Sequence, residues 1–403
     1  MGSIANVRKG VSSSMKLVFA SDSFKGSLSA LRIAQLLREE AVACFPEAET
    51  ACVPVADGGE GTVEALLTAK GGELQTVEVT GPDGRPVAAC YGRMPDGSAV
   101  IEMAQASGLP HMAVLDPLHA TSRGTGELML HALRHGARRL LIGLGGSATN
   151  DGGMGMLAAL GARFLNSAGM DVPEGGGGLA AIEHADFSGL VPELSQAELT
   201  VICDVTNPLL GAQGATAVYG PQKGVTPKLL PQLESGMAKY AAAIEKATGL
   251  DIRSIPGGGA AGGMGAALGG VLGAQLCRGI DAVLDFVDFD SVLQDADLVI
   301  TGEGCMDGQS IAFGKVVAGI AQRCEARKIP VCAIVGSMRP GAEDFLELSE
   351  QYSIMTTVNA VMPLETAMTT AESLYRSAAR RMFRLLRMGM QMRMKASEAS
   401  VSC

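Results

Sequence analysis

Residues 142–153 read Ile142-Gly143-Leu144-Gly145-Gly146-Ser147-Ala148-Thr149-Asn150-Asp151-Gly152-Gly153. An apolar run at 139–142 enters this stretch, and a run of small residues at 154–160 leaves it. The order predicts a strand, a glycine-rich loop and a helix. Such a loop can turn several backbone N–H groups toward one point at a helix N-terminus, and that point attracts anions. Because the loop also carries two hydroxyls, an amide and a carboxylate, we interpret it as a phosphate-handling loop.

Composition limits the partners of the chain. At 403 residues the chain is too long for one ordinary core, so we expect two domains. The hydrophobic fraction of 47% and the charged fraction of 18% exclude a disordered chain. The absence of Trp, the aromatic fraction of 4% and the net charge of −10 argue against nucleic acid. A small anion in a local pocket is still allowed.

The pattern of strands and loops predicts an α/β fold. Apolar runs at 16–20 and 51–56 are each followed by a polar loop and a helix start, which indicates a parallel doubly wound sheet. Gly81-Pro82-Asp83-Gly84 between two strand-like runs predicts a hairpin. Three more strand-like runs lie at 297–301, 331–335 and 352–356. We therefore expect one discontinuous doubly wound, Rossmann- or flavodoxin-like domain (15–68 plus 285–375) and one inserted mixed α/β domain (69–284).

The remaining segments give weaker signals. We expect 1–14 and 396–403 to be disordered tails and Gly175–Gly178 to be a flexible connector. Residues 376–395 hold six Arg, one Lys and no acid, and we expect a terminal helix that packs on the acidic remainder rather than on a membrane. No apolar run reaches about 18 residues, and the nine Cys form no C-x-x-C pair. These features favour a cytoplasmic protein with no membrane partner.

Acidic residues follow several of the expected strands: Asp22, Asp57, Asp204, and Glu303 with Asp307. In an open α/β sheet, ligands bind beyond the carboxyl ends of the strands. Carboxylates that face a phosphate loop suggest Mg²⁺, and one of them can instead take a proton from a substrate hydroxyl. The alternative is that each acid merely caps a helix or holds a turn.

A dinucleotide-binding interpretation competes with the phosphate loop. Residues 143–148 fit G-x-G-x-x-A, which would indicate an NAD-dependent hydroxy-acid oxidoreductase. However, the loop continues to Gly153, and the acid expected roughly 20 residues further on has no candidate. Cations in Gly- or Ser-containing loops, at Lys25, Arg123, Lys223 and Lys315, are placed where a cation can meet phosphate or carboxylate.

The longer motifs resemble a known family. They are Ala20–Ser29, Pro54–Thr62, Thr121–Glu127, Gly143–Gly153, Cys203–Pro208, Gly220–Gly224, Gly259–Gly265 and Thr301–Gly304. Together and in this order, from about Met15 to about Asn359, they closely resemble the motifs of the type-1, or bacterial-type, glycerate kinases. The resemblance implies ATP-dependent phosphorylation of D-glycerate with Mg²⁺, commonly at the 2-hydroxyl to give 2-phospho-D-glycerate; a glycerate 3-kinase is the alternative. It also implies two α/β domains, one of them discontinuous, with the site in the cleft between them. We expect small-molecule partners only, and a monomer or homodimer.

With that resemblance, the motif residues take expected roles. Asp57, Asp204 and Lys25 are the catalytic candidates, with either Asp as the base, and Arg123 or Lys25 would hold the glycerate carboxylate. The other expected roles are substrate binding by Ser122, Arg123 and Asn150, metal binding by Glu303 and Asp307, and nucleotide or phosphate binding by Gly145, Gly146, Ser147, Thr149, Lys223, Gly262 and Gly263. Whether the first loop holds the ATP phosphates, or holds glycerate while 257–265 takes the nucleotide, stays open.

Two departures from the family pattern stand together. Cys305 and Met306 occupy positions where the family usually has Arg and Ile, and residues 310–315 look one residue longer. If the family Arg contacts phosphate, its loss removes a charge-assisted bond worth roughly 1.5–3 kcal/mol, which Lys315 could replace. A non-catalytic sugar-acid sensor is therefore a third hypothesis.

Overall fold

A computed structural model describes residues 15–56, 58–59, 61–312 and 314–401. Its strands, in chain order, are β1 (Lys16–Phe19), β2 (Glu49–Cys52), β3 (Glu73–Thr80), β4 (Pro86–Arg93), β5 (Ser98–Glu102), β6 (Arg139–Gly143), β7 (Arg163–Leu165), β8 (His184–Asp186), β9 (Glu198–Ile202), β10 (Gln275–Cys277), β11 (Leu298–Thr301), β12 (Cys305–Met306), β13 (Val331–Val335), β14 (Ser337–Met338) and β15 (Tyr352–Thr356).

The helices are α1 (Ala30–Cys44), α2 (Thr62–Lys70), α3 (Ala104–Ser107), α4 (Arg123–Arg134), α5 (Met154–Ala159), α6 (Ala215–Tyr219), α7 (Leu230–Thr248), α8 (Ala260–Ala266), α9 (Gly279–Phe286), α10 (Phe289–Val292), α11 (Gly308–Ala312), α12 (Val316–Glu325), α13 (Asp344–Glu347), α14 (Leu364–Thr369) and α15 (Ala371–Val401). Short 3₁₀ turns lie at Leu109–His111, Gly178–Ala181, Pro192–Gln196 and Pro221–Lys223, and a π-helical turn at Ala267–Val271 follows α8.

One compact unit is built from three pieces of chain, up to residue 53, 290–311 and from 320 onward. Its sheet has the order β15-β13-β11-β1-β2, and every pairing in it is parallel. Leu17, Val18 and Phe19 of β1 are fully buried, as expected for a strand that has a neighbour on each side in a parallel sheet. The expected discontinuous parallel sheet is confirmed.

The other unit comprises 54–289 and 312–319. Its six-stranded sheet has the order β10-β9-β6-β5-β4-β3. The pairs β3–β4 and β4–β5 are antiparallel and the other three are parallel, so the sheet is mixed, as the sequence indicates. The predicted hairpin is present, since Gly81 N donates to Arg85 O (2.7 Å) between β3 and β4. These observations confirm the predicted fold class; the residue limits assigned to the two domains stay a prediction.

The C-terminal helix α15 packs on α1 through its first half. Tyr375 and Phe383 are fully buried in the same apolar cluster as Phe19 and Phe24. Arg380 donates from Nε to Glu40 Oε2 (2.9 Å), and this bond lowers the pKa of Glu40. The basic segment therefore contacts an acid of α1, as expected. Residues 1–14, expected to be disordered, lie outside the described residues, and α15 continues to Val401.

In the part of the chain that the structure describes, no helix is both long and apolar enough to span a bilayer. Gly175–Gly178 is not a flexible connector: Gly175 and Gly176 are buried, and a Cβ on Gly176 would lie 2.6 Å from Pro117 O. Glycine is required there because another backbone passes close by.

Candidate functional site

The loop between β6 and α5 is accessible only at its tip. Gly145 and Gly146 are exposed, whereas Ser147 through Asp151 are buried. Gly146 has a φ of +75°, a conformation that favours glycine. A ligand in solvent can therefore reach the backbone at Gly145 and Gly146, while the polar side chains that follow point into the protein interior.

Asp151 joins the loop to the start of two helices. Its Oδ2 accepts from Ser122 N (2.9 Å) and Ser122 Oγ (2.8 Å), just before α4. Its Oδ1 accepts from Gly153 N (3.1 Å), and its Oδ2 also accepts from Gly155 N (3.2 Å), at the start of α5. Burial raises the pKa of Asp151, and these hydrogen bonds oppose the shift. The carboxylate therefore holds α4, the loop and α5 in one arrangement.

Lys223 stabilises the other half of the loop. It ends the turn at Pro221–Lys223 and is only 1% exposed. Its Nζ donates to Ser147 Oγ and to Thr149 O, each at 2.7 Å. Burial lowers the pKa of Lys223 to about 7, although the nearby charge of Asp151 acts in the opposite direction. In this structure the amino group of Lys223, an expected phosphate ligand, is directed at the loop itself.

The second glycine-rich loop lies directly against the first. Ala261, Gly262 and Gly263 have φ values of 50°, 66° and 98° inside α8, so the backbone there is kinked. Gly152 N donates to Gly262 O (2.9 Å). A Cβ on Gly262 would overlap Thr149 O. The structure therefore brings together two motifs that the sequence left as alternatives, by backbone-to-backbone contact.

The expected substrate ligands are buried or already paired. Ser122 is fully buried and bonded to Asp151, and Asn150 Nδ2 donates to Thr216 Oγ1 (3.2 Å). Arg123 Nε donates to Glu174 Oε1 (2.8 Å), which raises the pKa of Arg123. Among the described residues, the side-chain oxygens Asn150 Oδ1 and Thr149 Oγ1 are buried without a hydrogen-bond partner.

Of the two candidate bases, the structure describes only Asp204. Asp204 follows β9, is exposed, and accepts from Gly279 N (2.7 Å) at the first residue of α9. It therefore caps a helix, the alternative that the sequence allowed for such acids. Asp57 lies outside the described residues. Its neighbour Gly58 packs on the glycine-rich loop, because a Cβ on Gly143 would lie 2.5 Å from Gly58 O.

The other expected site residues belong to the unit with the parallel sheet. Lys25 is exposed, and Glu303 and Asp307 are half-buried. Asp22 N donates to Gly302 O (2.9 Å), so the loops after β1 and β11 lie side by side. Asp307 Oδ1 accepts from Ser310 N (2.9 Å) at α11. Among the residues that the structure describes, no group of three or more His, Cys, Asp or Glu side chains could hold a metal.

Sequence reasoning missed several long-range contacts of this site. Glu174, which pairs with Arg123 across 51 residues, lies beside a four-glycine run that offered no hint of an ion pair. Tyr240 OH donates to Gly152 O (2.9 Å) from the middle of α7, where periodicity indicates only a buried face. The sequence does offer one signal, which is Asp151, a carboxylate inside an otherwise uncharged loop. A buried carboxylate needs hydrogen-bond donors around it.

A glycine-rich loop stabilised by buried polar contacts at the end of a parallel strand is typical of an α/β protein that binds a small anion. The glycerate kinase family model matches residues 17–387. The chain is 47% identical to a glycerate kinase of Bacillus subtilis (strain 168) over 370 residues, 91% of this chain and 96% of that protein. It is 46% identical to a glycerate 2-kinase of Escherichia coli (strain K12) over 367 residues, 90% of this chain and 94% of that protein.

A solved structure gives the same result. The crystal structure of a proposed glycerate kinase 2 from Salmonella typhimurium LT2 has a TM-score of 0.86 and 46% sequence identity, with 94% of this chain and all of that chain covered. The chain belongs to the glycerate kinase family.

Proposed function

We propose that this protein transfers the γ-phosphoryl group of ATP to the 2-hydroxyl of D-glycerate, giving 2-phospho-D-glycerate and ADP. The observation that carries the proposal is the 46% identity, over 90% of the chain, to the E. coli protein named glycerate 2-kinase. The absence of a suitable acid after the G-x-G-x-x-A match argues against the oxidoreductase alternative.

Phosphate binding is assigned to the accessible part of the first loop. Gly145 and Gly146 offer backbone N–H groups without a side chain in the way. Ser147, Thr149 and Lys223 support the loop from behind, because Lys223 Nζ contacts Ser147 Oγ and Thr149 O at 2.7 Å each. Gly262 and Gly263 support it from the second glycine-rich loop. In this proposal the buried residues keep the loop ready for the phosphates rather than contact them.

The residues that would hold Mg²⁺ are Glu303 and Asp307. Mg²⁺ in kinases is held by one or two carboxylates and completes its shell with substrate phosphates and water. Glu303 follows β11 and Asp307 follows β12, and both are half-buried carboxylates, which supply the oxygen ligands that Mg²⁺ prefers. When bound, Mg²⁺ would offset the negative charge that spreads over the transferred phosphoryl oxygens. Glu303 and Asp307 would position it.

The proton of the attacking hydroxyl needs an acceptor, and Asp57 and Asp204 are the candidates. Arg123 and Lys25 are the candidate ligands of the glycerate carboxylate. We propose that D57N and D204N do not both keep a near-wild-type kcat. Because Asp204 also caps α9, its asparagine variant needs a thermal unfolding control. If both variants turn over normally, the base is another residue.

We propose a cytoplasmic enzyme, monomeric or homodimeric, whose partners are its small-molecule substrates. Size-exclusion chromatography coupled to light scattering gives the mass to compare with 41.3 kDa for one chain.

The decisive test couples the product to enolase with no phosphoglycerate mutase present. A signal from glycerate and ATP identifies 2-phosphoglycerate. A signal only after mutase is added identifies 3-phosphoglycerate and contradicts the 2-hydroxyl assignment. No signal in either case contradicts the kinase proposal, and a glycerate-dependent absorbance change with NAD⁺ alone would favour the oxidoreductase. Glycerate-induced thermal stabilisation without ATP turnover would favour the sensor.

A further inference from the structure

The inserted unit contains an open cavity beside the glycine-rich loop. Its volume is about 570 Å³, within the range of small-molecule sites. Val63 and Leu67 of α2 and Leu74 of β3 form an apolar wall. Gln105 of α3 supplies a primary amide. The cavity therefore combines apolar surface with a few polar groups, as ligand sites do.

The charges around the cavity select against anions. Among the described residues that line it, the charged ones are Glu64 and Glu102, both acidic. Glu102 is 7% exposed, and its Oε1 accepts from Val63 N (2.8 Å). A carboxylate or triphosphate placed here would face like charges in a partly desolvated site. Glycerate is anionic and has only three carbons, so neither its charge nor its size suits the cavity.

Two walls of the cavity reach the exposed loop tip. Ala104, next to Gln105 in α3, lies 3.2 Å from the position of a Cβ on Gly146. Leu109 N, just after α3, donates to Gly146 O (2.9 Å). On the other wall, Gly61 lines the cavity, and Gly59 Cα lies 3.4 Å from a Cβ on Gly145. A ligand seated in the cavity can therefore extend a substituent to Gly145 and Gly146.

We propose that this cavity binds the adenosine part of ATP, an assignment that rests on the proposed kinase function. The purine packs on the aliphatic wall of Leu67 and Leu74. The amide of Gln105 offers one donor and one acceptor, the pair that matches the N6 and N7 edge of adenine. Glu64, exposed at the rim, accepts hydrogen bonds from ribose hydroxyls, as acids do in other nucleotide sites. The phosphates then lie at Gly145 and Gly146, outside the acidic lining.

A substitution tests the adenine contact. Q105L should raise KM for ATP about tenfold, with kcat and KM for glycerate within twofold of wild type, and should reduce the preference for ATP over GTP. The matched control is Q75L on β3, whose side-chain amide contacts Glu73 and does not line the cavity. An unchanged KM for ATP in a folded Q105L protein would contradict the role given to Gln105.

A labelling experiment on the wild-type chain decides the location independently of any variant. Cys90 lines the cavity and is half-buried. Saturating ADP should slow its alkylation by iodoacetamide at least fivefold, followed by peptide mass spectrometry, whereas pyrophosphate should not. Cys44 in α1, which does not line the cavity, is the internal reference. If ADP leaves the Cys90 rate unchanged, the nucleoside site is elsewhere.

The experiments distinguish failure of the proposed kinase function from failure of the proposed nucleoside site. A wild-type protein that phosphorylates glycerate but shows no ADP protection of Cys90 keeps its function and loses this site. A protein that shows ADP protection but does not phosphorylate glycerate keeps the nucleoside site and loses the proposed substrate.

Discussion

At the scale of single residues, Lys223 is the most informative side chain. A lysine that is 1% exposed forfeits hydration of its ammonium group, so its contacts must offset that loss. Both observed acceptors, Ser147 Oγ and Thr149 O, belong to the loop that carries the proposed phosphate site. The residue therefore couples loop geometry to the interior of the inserted unit.

Replacing this amino group should loosen the loop. K223M leaves the Thr149 carbonyl and the Ser147 hydroxyl without their donor, which we expect to lower the free energy of unfolding by about 1–3 kcal/mol. The displaced loop should reduce kcat/KM by about tenfold or more. Urea unfolding and the coupled assay measure these effects. K228M, at an exposed lysine on the same segment, should behave like wild type. Equal stability and activity in both variants would contradict the supporting role.

The stability of the loop should also depend on pH. Lys223 has a pKa of about 7 in the folded protein against an ordinary value of 10.5. Between these values the unfolded chain binds more protons at this site, so the free energy of unfolding rises with pH. Below about pH 7 both states are protonated, and the site contributes no slope. Asp151, whose pKa is raised, acts in the opposite sense at lower pH, with stability falling as pH rises through its window.

Comparison with K223M isolates the contribution of Lys223. The stability difference, wild type minus K223M, should grow when urea unfolding is repeated from pH 6 to pH 9. A difference that stays constant across this range would show that Lys223 is not titrating there.

At the scale of elements, the contact between the two glycine-rich loops depends on a missing side chain. Gly262 and Gly273 have the same φ of +66°, but only Gly262 faces another backbone closely. A Cβ on Gly262 overlaps Thr149 O, whereas a Cβ on Gly273 has nothing within 4 Å. Alanine substitutions at these two glycines therefore separate the cost of backbone strain from the cost of a close backbone contact.

The two alanine variants should differ in severity. G273A should cost about 1–2 kcal/mol, the penalty for a left-handed alanine. G262A should cost roughly 3 kcal/mol or more, because the overlap with Thr149 adds to that strain, and it should also impair turnover. Urea unfolding of both proteins measures the difference. Similar losses in the two variants would mean that the loops can separate at little cost.

The sequence predicts individual strands and helices, but it does not predict the contacts between them. The apolar run at 139–142 and the small-residue run from Met154 predict β6 and α5 nearly to the residue. The discontinuous parallel sheet was also predicted, because similar strand signals stand at both ends of the chain. Hydrophobic periodicity and turn-forming residues depend on only a few neighbouring residues, so they predict individual strands, helices and turns.

The site itself is set by contacts across much longer separations. Lys223 and Ser147 are 76 residues apart, and their meeting depends on how six strands are ordered in the mixed sheet. The sequence motifs place these residues in loops at the edge of a sheet. They do not show which side chains point into the protein interior. Only the structure therefore shows that Ser122, Asn150 and Lys223 are buried.

At the scale of the whole molecule, α15 divides into a packed half and an exposed half. Tyr375 and Phe383 are buried against the sheet of the discontinuous unit, whereas Leu385, Met388 and Met392 are exposed. The family match ends at residue 387, close to this change. The stabilising part of the helix therefore ends soon after Phe383.

Truncation should reveal this division. A chain ending at residue 387 keeps the buried residues and should unfold within about 2 °C of the full-length protein. A chain ending at residue 370 loses the aromatic packing and both arginine contacts to Glu40, and it should be insoluble or unfold far lower. Thermal unfolding followed by circular dichroism distinguishes the two. A large loss in the longer chain would mean that the exposed half has a partner.

The parallel sheet of the discontinuous unit also has a consequence for biosynthesis. Leu17 of β1 pairs with Leu298 of β11, so the strand made first waits for a neighbour roughly 280 residues later. At 5–20 residues per second a ribosome needs on the order of 14–56 s to supply it. During that interval most of the inserted unit has emerged and can form its own core, while an apolar strand stays open on one edge. A nascent chain stalled when residues up to about 290 have left the ribosome should therefore be protease-resistant in its middle and bind chaperones through its beginning.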